Sequence, residues 1–256
     1  MASIYDLPKG ILNYIPLDPK DASLLRATCK HMYTNVKDTA TEYRGWSKIN
    51  SVLFVACEKN NIDIANWSIT QGAINVNFAM GRACVFGHLN MAKWCSSNGA
   101  ADFDWSMYCA CCSGHLEIAK WCALMGATNF NKAIGGACRG GHLDVAKWCS
   151  SNGATNFNKA LEYACEYGHL DVAKWCVSMG ATNFELSMEC ACGGGHLEVA
   201  KWCASMGAII FDWAVSAAYE NNHFDVAVWC NENGATAYAE EIARDLSTIT
   251  KKRKLK

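Results

Sequence analysis

The chain has 256 residues, 51% of them hydrophobic, which is ample material for a core and excludes a disordered polypeptide. A formal net charge of −1 excludes a broad basic face for nucleic acid, so no nucleic-acid partner is expected. No window approaches the roughly 18 apolar residues that a membrane span needs, and Met1-Ala2-Ser3-Ile4-Tyr5-Asp6 lacks the basic start and apolar run of a signal peptide. The expectation is a cytoplasmic protein with no membrane contact.

Residues 1–48 carry no repeat. Pro8 suits the first turn of a short helix with Leu7, Ile11, Leu12 and Ile15 on its apolar side, and Pro16 and Pro19 stop it. Asp18-Pro19 then opens a second helix that continues through Leu24, Leu25 and Cys29, and a third is expected from Tyr33 to Tyr43.

From Ile49 the chain repeats itself. His88, His115, His142, His169, His196 and His223 stand 27 residues apart, and seven copies run through 49–75, 76–102, 103–129, 130–156, 157–183, 184–210 and 211–237. A fixed period between about 20 and 50 residues marks a stacked array. Each copy opens on an apolar residue such as Phe130 or Phe157. Asn50, Asn77, Asp104, Asn131, Asn158 and Asp212 follow as expected N-caps, with Glu185 the exception. A first helix of about ten residues carries an apolar residue, alanine and cysteine (Leu161, Ala164 and Cys165 in the fifth copy). Gly-His makes a turn, a second helix follows, and Gly-Ala ends it with glycine where positive φ is needed. Tryptophans 67, 94, 121, 148, 175, 202 and 229 are expected in the core, and the histidines as spacers that tie one turn to the next.

Sixteen cysteines suggest disulfides or zinc, but twelve fall into two columns, Cys57 to Cys192 and Cys95 to Cys230. Neighbours within a column lie roughly 8–10 Å apart in stacked helices, beyond the roughly 4.4–6.8 Å Cα separation of a disulfide. Buried free thiols are expected, with no disulfide and no zinc. Cys84 and His88 are i,i+4 neighbours, but no second pair stands near to complete a tetrahedron. The triplet Cys109, Cys111, Cys112 is the one place where a redox role could hide. No phosphate loop, nucleophile–base pair or metal cluster stands outside the columns, so neither enzyme activity nor a cofactor is expected.

Residues 238–256 read as a half-repeat, Ala239 to about Thr250, that caps the last copy. The basic run Lys251-Lys252-Arg253-Lys254-Leu255-Lys256 is either a nuclear address or an unstructured solubilising end.

Two resemblances follow from these residues. Gly-His-Leu-Asp-Val-Ala-Lys-Trp-Cys with its closing Gly-Ala, met at Gly141–Ala154, resembles the second half of an ankyrin repeat. It implies an all-α, ankyrin-like solenoid that binds protein on its concave side. The period is six short of the usual 33, and only Thr-Asn-Phe-Asn stands between Gly-Ala and the next helix, so no β-hairpin finger is expected. The Leu7-Pro8 opening, the Leu17-Asp18-Pro19-Lys20-Asp21 middle and the Cys29-Lys30 close resemble an F-box. That likeness implies docking of Leu7, Pro8, Ile11, Leu12 and Ile15 on the Skp-type adaptor of a cullin ubiquitin ligase. The same segment also reads as a cap on the first repeat of a stand-alone array that masks or scaffolds a host protein. Short ankyrin-like arrays behind an F-box-like start are similar to proteins of large DNA viruses of amoebae.

Certain first-helix positions vary between copies, at ten, seven, six, three and two residues before the repeat histidine. They hold Phe78, Arg82 and Phe86; Trp105 and Tyr108; Lys132 and Arg139; Lys159, Glu162, Tyr163, Glu166 and Tyr167; Trp213 and Glu220. Aromatic residues and arginine dominate interface energy. These side chains are the expected contacts to a target protein.

Overall fold

The computed structural model describes residues 48–245. The adaptor-docking residues Leu7, Pro8, Ile11, Leu12 and Ile15 and the tail Lys251–Lys256 lie outside them. The described residues fall into two compact units, one of residues 48–110 and 117–127 and the other of residues 111–116 and 128–245. Among these residues the chain is all-α, with seven helix pairs and no strand. The first unit holds α1 (Lys48–Glu58), α2 (Ile62–Thr70), α3 (Val76–Val85), α4 (Leu89–Ser97), most of α5 (Phe103–Cys112) and α6 (Leu116–Leu124). The second holds α7 (Phe130–Arg139), α8 (Leu143–Ser151), α9 (Phe157–Glu166), α10 (Leu170–Ser178), α11 (Phe184–Gly193), α12 (Leu197–Ser205), α13 (Phe211–Glu220) and α14 (Phe224–Glu232).

Both helices of a pair stop in the same way. His142 N–H donates to Ala137 O at 2.9 Å and Ala154 N–H to Cys149 O at 3.1 Å, bonds that reach back five residues over a left-handed residue. Gly141 (φ +75°) and Gly153 (φ +102°) supply that conformation. In the end copies Asn60 (φ 53°) and Asn222 (φ 64°) take the glycine's place, asparagine being the side chain that tolerates it best.

The repeat histidines fill the space those glycines leave. A Cβ on Gly141 would lie 2.6 Å from Nδ1 of His169, and one on Gly168 2.5 Å from Nδ1 of His196. The opposite ring nitrogen reaches a carbonyl one repeat back, as in His88 Nε2 to Glu58 O at 2.9 Å and His169 Nε2 to Arg139 O at 3.0 Å. The histidine is thus the tie between turns that the sequence suggests. Burial holds the pKa of His196 below the ordinary histidine value of 6.5, against the opposing pull of the Glu166 carbonyl. The unfolded chain therefore takes up the proton more readily, and stability should fall as pH drops through and below about 6.5. Denaturant midpoints between about pH 7 and pH 5 should show this decline, weakened in His196→Gln; a slope identical in parent and variant would remove His196 as its source.

The core is built from small and medium side chains in register. Met80, Ile134, Leu161, Met188 and Val215 of the first helices are fully buried, as are Met91, Val145 and Val172 of the second. Between them run the alanine column and the two cysteine columns, all within 1% of full burial. Small side chains there let the helices approach closely, so dispersion contacts replace bulk.

Three sequence expectations are corrected. The tryptophans are half-buried rather than central. Trp121, Trp148, Trp175, Trp202 and Trp229 pack edge-on against the opening phenylalanine of their own repeats, as in Phe130–Trp148 and Phe157–Trp175 with centroids 5.6 and 5.9 Å apart. The Asn/Asp column does not cap its own helix, which starts one residue earlier. Asn131 Oδ1 instead accepts Thr155 N–H at 2.8 Å and Asn156 N–H at 2.9 Å from the next loop. Glu185 does the same for Ile209 and Ile210 at 3.0 Å each, which explains why it can replace asparagine. The N-cap role falls one residue before the phenylalanine, where Asn129 and Asn156 accept from Lys132 and Lys159.

The third correction concerns the thiols. None of the described cysteines is in a disulfide, but the two columns are not far from each other. The Sγ atoms of Cys57 and Cys95 are 3.7 Å apart, those of Cys111 and Cys149 3.9 Å, and those of Cys138 and Cys176 4.0 Å. Cys165–Cys203 and Cys192–Cys230 each stand at 3.8 Å, and Cys84 bonds Cys122 in the same way. Every pair joins residues 38 apart in sequence.

At the C-terminal end, residues 239–245 form a further helical turn with Ile242 buried. Tyr219 stands where the other copies carry cysteine. Its ring stacks on Tyr238 at 4.8 Å and its hydroxyl donates to Asp245 at 2.8 Å. Residues 239–245 therefore pack on the last helix pair through Tyr219.

Candidate functional site

The varying first-helix positions project away from the buried columns, because alanine, cysteine and the large apolar residue occupy the opposite helical face. In the first unit, Arg82 pairs with Glu58 at 2.6 Å and lies 5.3 Å from the ring centroid of Phe86, which is 44% exposed. Phe78 packs on the buried Phe54 at 4.6 Å. Trp105 stacks with Tyr108 at 5.4 Å, and a Cβ on Gly81 would strike its indole nitrogen at 2.6 Å. Glycine at 81 is thus the seat of the Trp105 ring.

In the second unit the same geometry recurs. Tyr163 lies against Gly135, whose Cβ would come within 3.1 Å of the ring, and Lys159 Nζ sits 4.9 Å from the Tyr163 centroid. Arg139 lies 4.7 Å over Tyr167. Lys132 is exposed, and Trp213 is 58% exposed. Glu162 departs from the surface role suggested for it. It is 8% exposed, accepts from Lys159 Nζ at 2.6 Å and Asn183 Nδ2 at 2.7 Å, and so braces its helix against the loop that closes its own repeat.

The missing side chains of the Gly193-Gly194-Gly195 run imply a shallow dent in the surface, and a hollow does lie there. Gly193 is less tightly covered: a Cβ there would meet Ala217 at 3.5 Å and Asn221 at 3.8 Å, ordinary contacts. No aromatic ring covers it as Trp105 and Tyr163 cover Gly81 and Gly135. The result is a cavity of about 500 Å³ bordered by Glu166, Tyr167, Glu189, Cys190 and His196. A second hollow of about 550 Å³ beside it adds Trp213 and Glu220. Burial first, and then the carboxylates of Glu162, Glu166 and Glu189, push the Cys190 thiol up to about 11. The small Ala217 also lines this hollow.

Among the described residues no group of three or more His, Cys, Asp or Glu is placed to hold a metal ion. Among them, too, no helix is long and apolar enough to cross a membrane.

No family model and no curated protein matches the chain. Among solved structures, the chain is similar to the crystal structure of the human ASB11 ankyrin repeat domain. The identity is 23%, the match covers 61% of this chain and 83% of that one, and the TM-score is 0.46.

Proposed function

We propose that the protein is a non-catalytic protein-binding adaptor whose first-helix face holds a target protein. The observation that carries this reading is the contrast within each repeat: the inward columns barely vary, while the outward row changes from copy to copy and concentrates Trp105, Tyr108, Arg139, Tyr163, Tyr167 and Trp213. Rings seated on glycine are held in place before binding, which lowers the ordering cost of an interface. The inter-repeat loops are too short for fingers, so helices carry the contact. Phe78, Arg82, Lys132 and Lys159 complete the target-binding row.

The finer reading is that residues 1–48 dock this receptor on the Skp-type adaptor of a cullin ubiquitin ligase through Leu7, Pro8, Ile11, Leu12 and Ile15. Its support is the F-box-like order of those residues. Ile11→Asp with Leu12→Asp should abolish co-purification of the adaptor and leave Tm nearly unchanged. A cap on the first repeat would give the opposite result, since a carboxylate forced into that interface costs several kcal/mol. A large fall in Tm, with no adaptor bound by the parent, retires the ligase reading.

A further inference from the structure

The thiol ladder is not used by the binding face. In every pair both cysteines are fully buried, and the separation of 38 is one 27-residue period plus the eleven residues between the two columns. A cysteine late in the first helix of one repeat thus meets a cysteine in the second helix of the next. Sulfurs 3.7–4.0 Å apart are in van der Waals contact, and closing that gap to the roughly 2.0 Å of a disulfide needs side-chain rotation and a small approach of two packed helices.

Three fates are open to two facing thiols: to remain packing, to bind a thiophilic metal ion, or to join. A structural metal ion such as zinc needs about four ligands, and among the described residues no group of three or more His, Cys, Asp or Glu is placed to hold one. The partner thiol and burial already push Cys57, Cys138 and Cys192 well above the ordinary thiol range. A disulfide is neutral, apolar and smaller than the pair it replaces. The geometry points to it: we propose that the paired cysteines are sites of oxidative closure, each forming an inter-repeat disulfide when a two-electron thiol oxidant, a diazenedicarboxamide or a peroxide, reaches them. Two S–H bonds break and one S–S bond forms. The two protons and two electrons pass to the oxidant, giving the hydrazine or water.

Because the thiols are buried and protonated in the closed array, the reaction proceeds through transient opening of neighbouring repeats. Each bridge then fastens one repeat to the next. Within each unit successive bridges overlap in sequence, as Cys138–Cys176 does with Cys165–Cys203. Oxidation would thereby pin the repeats of each unit to one another where the reduced unit opens repeat by repeat.

The experiment uses the full chain, reduced, desalted and treated with diamide, then read by intact mass and by peptide mapping without reduction. The expected result is stepwise loss of two hydrogens per bridge, linkages joining cysteines 38 apart, a rise in Tm, and reversal by dithiothreitol. Cys138→Ala should delete the Cys138–Cys176 linkage and spare Cys165–Cys203. Linkages between same-column neighbours such as Cys138 and Cys165, or between molecules, would overturn the proposal. So would a chain that stays fully reduced under conditions that oxidise it in denaturant. The parent's own linkage map decides the matter even where the variant does not fold.

Discussion

Gly168→Val is expected to lower stability by about 3 kcal/mol or more, while Gly180→Ala should cost about 1 kcal/mol. Both residues have positive φ, +80° and +101°. They differ in what surrounds them. A Cβ on Gly180 meets nothing within 4 Å, so only backbone strain is added. A Cβ on Gly168 would stand 2.5 Å from Nδ1 and 2.7 Å from Cε1 of His196. The valine must displace the ring, and with it the bond from His196 to the Glu166 carbonyl, so strain and a lost inter-repeat tie add together. Urea unfolding checks the pair of variants. Equal costs would mean that the glycine–histidine seat is not a structural joint.

The second large effect concerns binding. Alanine at Tyr108, Tyr163 and Tyr167 together should weaken target capture at least tenfold, about 1.4 kcal/mol. The rings lie outside the buried columns, so the array should remain folded, with a stability loss of about 1 kcal/mol from their contacts with Trp105, Lys159 and Arg139. Trp148→Ala should do the reverse, removing the edge-on contact with Phe130 at a cost of about 2–3 kcal/mol without touching the binding row. Melting curves beside binding isotherms separate the two classes.

Much of the fold was legible because a repeat compares the chain with itself. Alanine, cysteine and the residue equivalent to Leu161 recur where helices must meet, and Gly-His recurs where a left-handed turn must leave room for a ring. What the period could not disclose is the phase between one repeat's first helix and the next repeat's second helix. That phase puts Cys138 against Cys176 and makes the cysteine pairs, which spacing within a column cannot reveal. The Asn131 column misled for a related reason. An amide oxygen near a helix start suits its own N-terminus and a neighbouring loop equally well, and only the stack decides. Tryptophan's size suggests a core position, yet its width places it at the boundary, leaning on Phe130 or Phe157. The candidate row was visible as variation, but Glu162 shows that a varying position can also brace a helix against the loop that closes its repeat.

The central claim is that the first-helix face holds a protein target, and quantitative affinity purification tests it most directly. The parent chain and the Tyr108, Tyr163 and Tyr167 alanine variant are expressed at equal levels in the same cells, and the recovered proteins are compared by mass spectrometry. The account predicts at least one protein enriched with the parent and reduced tenfold or more with the folded variant, while the Trp148→Ala chain that remains folded retains it. Identical recoveries from parent and tyrosine variant would contradict the account and move the binding site off this face.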